Sequence, residues 1–293
     1  MKIFLTGGNG FIGKNILESF LSEKYEILAP RSFELNLTDQ DSVNEFFKQH
    51  KVDIVIHAAC KPGHRNAKDT SNLFFTNTQM FYNLLKHQDK YNKLINLGSG
   101  AIYDMRNYQP KMKEEYFGTH IPVDEHGFCK YVIGKHIEHL DNVVDLRIFG
   151  IFGRYEDYAI RFISNAICKT LFDLPVTLKQ NRKFDYIYVD DLMPILDYFI
   201  ENKGQYSSYN VTPDKSIELY KLAEKVIEIS GKNLPVLVDQ PGLGLEYSGD
   251  NARLHNEIKN LKFPSIDKSI EKLYKWYSDN INLIDKEILL VDK

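Results

Sequence analysis

The chain has 293 residues, 43% of them hydrophobic, with 37 Lys and Arg against 40 Asp and Glu and a formal net charge of -3. That length suggests one large domain, or a domain with a smaller lobe, and the charge provides no basic field for nucleic acid. No apolar run approaches the ~20 residues that span a bilayer, so a membrane is not an expected partner.

In chain order, short apolar runs alternate with helical stretches through the first half. Residues 2–6 read as a buried strand that reaches glycines almost at once, unlike a signal peptide. A helix is expected over 11–22, a strand over 25–29 and a helix over 41–49, opened by Thr38-Asp39. A strand follows over 53–58, a helix over 73–86, a strand over 93–97, a helix over 128–140 and a strand over 143–148. Continuous β-branched runs between helices predict an α/β fold, a Rossmann-type doubly wound parallel sheet covered on both faces. Beyond Gly150 the alternation breaks down. Residues 174–178 and 234–238 read as short strands of a smaller C-terminal substrate-binding lobe, and 191–201 as a helix returning to the sheet. We therefore expect a dinucleotide-binding domain over 1–150, rejoined by 184–202, and a lobe formed mainly by 151–293. Cys60, Cys129 and Cys168 are too few and too widely spaced for a disulfide framework or a zinc site. The expected compartment is the reducing cytoplasm, and no metal is expected.

Between the first strand and first helix stands Thr6-Gly7-Gly8-Asn9-Gly10-Phe11-Ile12-Gly13. Three spaced glycines leave room for a tight turn, for a pyrophosphate near backbone N–H groups, and for close helix–strand packing. The spacing resembles the T-G-x-x-G-x-x-G of short-chain dehydrogenase/reductases, and Gly-Phe-Ile-Gly is similar to the extended branch. That branch contains sugar-nucleotide epimerases, dehydratases and ketoreductases. The resemblance implies NAD(P) bound by Thr6, Gly7, Gly10, Phe11, Ile12 and Gly13, and a homodimer formed through paired helices. Where an NAD enzyme usually places an acid after the second strand, this chain has Arg31-Ser32. A guanidinium and a hydroxyl suit a 2′-phosphate, which favours NADP(H) and leaves NAD(H) as the alternative. Asn36-Leu37 resembles the segment lying against adenine. The run from His57 through Ala58, Ala59 and Cys60 to Lys61 resembles the small-residue turn beside the cofactor, with His57 expected to pack rather than catalyse.

The family's catalytic set is a Ser or Thr followed by Tyr-x-x-x-Lys on a helix. Ser99, in Leu97-Gly98-Ser99-Gly100-Ala101, matches the family serine. In His126-Gly127-Phe128-Cys129-Lys130, the family's Tyr-Gly-x-Ser-Lys aligns with His126 in the tyrosine position and with Lys130 as the lysine. A literal Tyr131-x-x-x-Lys135 lies five residues later. Five residues turn a helix by about 140°, so both pairs cannot face one site. The glycine after His126 favours the first frame, and Tyr131 with Lys135 is the alternative. A nearby Lys130 ammonium is expected to lower the pKa of His126 and weaken it as a proton donor.

The resemblance is closest to GDP-fucose synthase-like 4-ketoreductases. Dehydratases carry Asp-Glu where this chain has Gly100-Ala101, and fucose synthases carry a proton-moving Cys where Ala101 stands. These departures leave simple 4-keto reduction of a nucleotide sugar, with 4-epimerisation, or a catalytically weakened ligand-binding site, as alternatives. Phe184 replaces an arginine that commonly clamps the substrate pyrophosphate. Candidate substrate contacts are Ser99, Gly100, Arg154, Arg182, Lys183 and Arg253.

Overall fold

Ile3 and Leu5 face one side of the central sheet and Phe4 the other, the period-2 alternation that a strand buried on both faces requires. The computed structural model describes residues 1–64 and 66–291, so the last two residues of the expected lobe lie outside the described residues. Strand β1 (Lys2–Thr6) leads through the glycine loop into helix α1 (Phe11–Leu17), then α2 (Phe20–Lys24) and β2 (Glu26–Leu28). The single helix expected over 11–22 is thus two, because the Ser19 hydroxyl accepts the Leu21 N–H and starts a new cap. Helix α3 (Gln40–Gln49), capped by Asp39, precedes β3 (Ile54–His57), α4 (Leu73–Leu85) and β4 (Lys93–Ser99).

Helix α5 (Glu125–Ile137) begins three residues earlier than expected, since Asp124 accepts the Gly127 N–H at 2.8 Å. That cap places His126 inside the first turn. Next come β5 (Val143–Ile148), β6 (Gly150–Phe152), α6 (Phe162–Leu171), β7 (Val176–Asn181), β8 (Lys183–Phe184) and β9 (Tyr186–Tyr188). Helix α7 (Leu192–Glu201) leads to β10 (Ser208–Val211), then β11 (Ile217–Glu218), α8 (Leu219–Ser230) and β12 (Val236–Leu243). Helices α9 (Ala252–Glu257), α10 (Ile266–Asp279) and α11 (Lys286–Leu289) complete the described chain.

The central sheet has six parallel strands in the order β10-β5-β4-β3-β1-β2. The doubly wound expectation therefore holds. Helices α3, α4 and α5 cover one face, with Val43, Phe46, Phe81, Leu84 and Ile133 against Phe4, Val55 and Leu94. Ile16 of α1 and Leu192, Leu196 and Phe199 of α7 cover the other, continuous with Ile163, Leu222 and Leu273 from later helices. Each fully buried Ile, Leu or Phe here contributes roughly 1.5–3 kcal/mol. The smaller pairings lie outside this sheet: β7 with β12, β8 with β11, and β6 with β9.

β1 is flanked by β2 on one side and β3 on the other, so the chain reverses direction of progress at β1. The carboxyl ends of β1 and β3 flank the crevice at this switch point, the usual ligand position in such sheets. No described helix is long and apolar enough to cross a membrane.

Candidate active site

The glycine loop sits at that crevice. Gly7 has φ 71°, and a β-carbon there would lie 2.7 Å from the Ala59 nitrogen, so the β1 and β3 loops approach as closely as backbone allows. A β-carbon on Gly13 would collide with the Gly7 carbonyl, which is also the acceptor of the Gly10 N–H at 2.9 Å. Gly10 caps α1 without a side chain, leaving the first-turn N–H groups of Phe11 and Ile12 turned toward the crevice mouth. This bare cradle fits a dinucleotide diphosphate. Thr6 Oγ1 lies 2.9 Å from His57 Nδ1 and accepts the Ala59 N–H at 3.1 Å. Burial, then the charge of Lys130, push the His57 imidazole down to about 3. His57 is a neutral tie between β1 and β3.

Arg31 and Ser32 are exposed just past β2. The Arg31 guanidinium stacks over Phe33, and its main-chain N–H donates to Glu34 Oε2 at 2.7 Å. Asn36 is exposed with its side-chain oxygen on Thr38, whereas Leu37 is buried with its carbonyl held by Asn83. Ala58 is half-buried, and Leu97 is buried in the core. The Lys61 ammonium is engaged within its own loop, 2.6 Å from both Asp69 Oδ2 and the Ser71 carbonyl.

Ser99 ends β4, and its Oγ accepts the Ala101 N–H at 3.1 Å, opening a tight turn over Gly100–Ile102. Helix α5 packs directly on this turn, because a β-carbon on Gly127 would lie 2.7 Å from the Ala101 carbonyl. That contact brings the neighbouring His126 beside the Ser99 turn. One helical turn on, Lys130 Nζ reaches the Leu97 carbonyl at 3.4 Å. Its charge is felt by both His57 and His126. Burial first, then Lys130 and Arg161, push His126 down to about 4. The alternative pair points elsewhere. Tyr131 packs on Phe117 at 5.3 Å, and Lys135 lies over the same ring and pairs with Glu138 at 2.9 Å.

A cleft of roughly 600 Å³ lies beyond this turn, and Arg161, Lys179, Arg182, Phe184 and Tyr186 are among its lining residues. Lys169, also on its wall, donates to Thr177 at 2.6 Å. This is a cationic, aromatic cleft that carries no acidic side chain among the described residues of its wall, suited to a phosphorylated ligand. Arg182 is placed there, stacked over Phe184. Lys183 is exposed on β8 and absent from the lining. Arg154 lines a separate depression and pairs with Glu18 at 3.2 Å and Asp190 at 3.8 Å. Arg253 bonds Glu115 and the Ser208 carbonyl while stacking on Tyr206. Both arginines are thus tied to carboxylates distant in sequence.

Residues 3–212 match the NAD dependent epimerase/dehydratase family. The chain belongs to that family. Its expected resemblance to extended short-chain dehydrogenase/reductases is thereby borne out. GDP-L-colitose synthase of Yersinia pseudotuberculosis is 26% identical over 258 residues, covering 79% of this chain and 83% of the relative. GDP-L-fucose synthase of Escherichia coli (strain K12) is 22% identical over 312 residues, covering 95% and 97%. Among solved structures, a GDP-mannoheptose C4 reductase from Campylobacter jejuni with NADP bound superposes with TM-score 0.82 at 18% identity, covering 94% of this chain and 98% of that one. A GDP-L-fucose synthetase from Naegleria fowleri bound to NADP gives TM-score 0.83 at 15% identity, covering 96% and 93%. At these identities the structural likeness concerns the fold.

Two side chains of this family member escaped the sequence reading. Arg161 precedes α6 and bears electrostatically on His64, His126, Glu156 and Tyr186; nothing in its neighbours marked it as more than a solvated helix start. Tyr247 lies in a Gly-rich stretch without periodicity, and only the fold brings it to Ser99.

Proposed function

We propose that this chain is an NADPH-dependent reductase of a 4-keto-6-deoxy sugar nucleotide, acting in the cytoplasm in the synthesis of surface-polysaccharide sugars. The observation that carries the reading is the cradle of Gly7, Gly10 and Gly13 directed along the sheet toward Ser99 and Lys130. The GDP-linked activities in the names of several relatives support a GDP-linked ketosugar as first candidate. Arg31 and Ser32 supply the grip for a 2′-phosphate, which supports NADP(H). Arg161, Lys179 and Arg182 supply cations for the substrate diphosphate in place of the arginine replaced by Phe184.

When bound, the reduced nicotinamide supplies the hydride. Ser99 donates a hydrogen bond to the ketone oxygen, and Lys130 holds the cofactor ribose. The proton for the new alcohol comes through His126. With its pKa near 4, about one His126 in a thousand is protonated at pH 7, so turnover is slow at neutral pH. The acid fraction rises tenfold for each unit the pH falls.

NADPH oxidation with GDP- and dTDP-linked 4-keto-6-deoxyhexoses tests this reading. We expect log kcat to rise about one unit per pH unit from pH 7 to 5, with that slope absent in His126→Ala. His126→Tyr should gain about tenfold or more at pH 8. NADPH binding with no oxidation by any variant would favour the catalytically weakened alternative. A 4-epimerase using NAD(H) is the second reading, favoured by the Glu34 carboxylate beside Arg31, which suits ribose hydroxyls. Tightly held NAD after purification would support it. The exposed Phe75 of α4 and Phe128 of α5 support a homodimer through those helices, which light scattering would check.

A further inference from the structure

The segment after β12 returns a tyrosine to the Ser99 turn. Tyr247 is fixed through its backbone: its N–H donates to the Lys183 carbonyl at 2.9 Å, and its carbonyl accepts the Asp185 N–H at 3.1 Å. Its ring packs against Phe149, Tyr108 and Phe184, with centroids 5.0, 5.1 and 5.2 Å away. Below, the Asp185 carboxylate accepts the Gly249 N–H at 2.8 Å and the Thr212 hydroxyl, pinning the residues that follow. So held, the phenol comes down on the Ser99 turn. A β-carbon on Gly100 would lie 2.5 Å from the Tyr247 hydroxyl, so any side chain at 100 would contest that space. Ser99, the residue before Gly100, is thereby the neighbouring hydroxyl on this turn, and it bears on the titration of the phenol.

Ser99 Oγ has two lone pairs and one proton. One lone pair already takes the Ala101 N–H. We infer that Tyr247 is a positioning residue whose phenol donates to the second lone pair, leaving the serine proton directed at the substrate's carbonyl oxygen. This rests on the reading of Ser99 as the hydroxyl at the reacting oxygen. Burial drives the phenol well above its ordinary range, so it remains a donor at every working pH. The residue arrives from outside the sheet strands, so the aim of Ser99 depends on the C-terminal segment being in place.

The test is a double-mutant cycle of Ser99→Ala and Tyr247→Phe, assayed by NADPH oxidation with a GDP-linked 4-keto-6-deoxyhexose. Tyr247→Phe should lower kcat about tenfold and leave KM for NADPH and ketosugar within about twofold. In the Ser99→Ala background it should cost less than about twofold further. Equal losses in both backgrounds, a rise in KM with kcat unchanged, or no effect would overturn the inference. If the wild-type protein reduces no ketosugar, the functional reading fails, and thermal unfolding of the same four proteins decides the link. The double variant's loss in Tm should then fall short of the summed single losses by about 2 °C or more. Additive shifts would sink it.

Discussion

Two buried ionisable groups and one half-buried one set opposite pH dependences in this molecule. His57 and His126, held down to about 3 and about 4, stay neutral in the fold while the unfolded chain takes up protons near pH ~6.5. They withdraw stability as pH falls from there toward 4. Glu156 behaves in reverse: burial raises its carboxyl to about 8, and the Ser164 hydroxyl donates to it. Its contribution is complete below pH ~4.5 and is lost as pH rises through 8. Glu156→Gln should therefore raise Tm at pH 8.5, by a few degrees, and change it little at pH 5; differential scanning fluorimetry at both values checks this. An equal shift at both would show that charge burial is not the cause. At this scale the sequence was legible where one chain segment carries the signal. Gly7, Gly10 and Gly13 lie together, and His126 and Lys130 share a helix face. The ties of Arg154 and Arg253 were not legible, because Glu18 and Glu115, their partners, lie 136 and 138 residues away along the chain.

At the level of elements, periodicity located every strand of the sheet except β10. Ser208–Val211 is an edge strand that pairs with β5, and its Ser-Tyr-Asn-Val run lacks the continuous apolar residues that marked the others. The glycine loop was readable because strand, turn and helix each have their own signature, but the break at Ser19 was hidden inside an otherwise helical apolar pattern. The tight packing of that loop gives a prediction. Gly13→Ala places a methyl group against the Gly7 carbonyl, forcing α1 away from the turn. Overpacking of this kind costs about 1–3 kcal/mol. It should also weaken NADPH binding at least about tenfold, measured by fluorescence titration. Undiminished affinity in a folded Gly13→Ala protein would show that the turn does not grip the diphosphate.

Across the whole molecule, a buried polar network ties β4, β5 and β10 of the sheet to the segment that follows β4. Asn96 donates to Asp145 at 2.6 Å, Arg147 bonds Asp145 at 3.2 Å, and Arg147 reaches the Tyr103 hydroxyl at 3.2 Å. Tyr103 donates to Asn210 at 2.8 Å, and the Asn210 amide holds the Met112 carbonyl. The run Val143-Val144-Asp145-Leu146-Arg147-Ile148 reads as an ordinary buried strand, so nothing in it announced an ion pair inside the sheet. Arg147→Met should lower stability by about 3–5 kcal/mol in urea denaturation, since it strands the Asp145 carboxylate. A loss below about 1 kcal/mol would mean Asn96 alone satisfies that carboxylate. Network, sheet and lobe together serve one arrangement, a dinucleotide lying across the carboxyl ends of β1 and β3. A crystal structure with NADPH tests it most directly. Density should follow the main chain of residues 7–13, with the 2′-phosphate at Arg31 and the nicotinamide facing Ser99. An empty crevice in crystals saturated with NADPH, or a nucleotide lodged elsewhere, would contradict it.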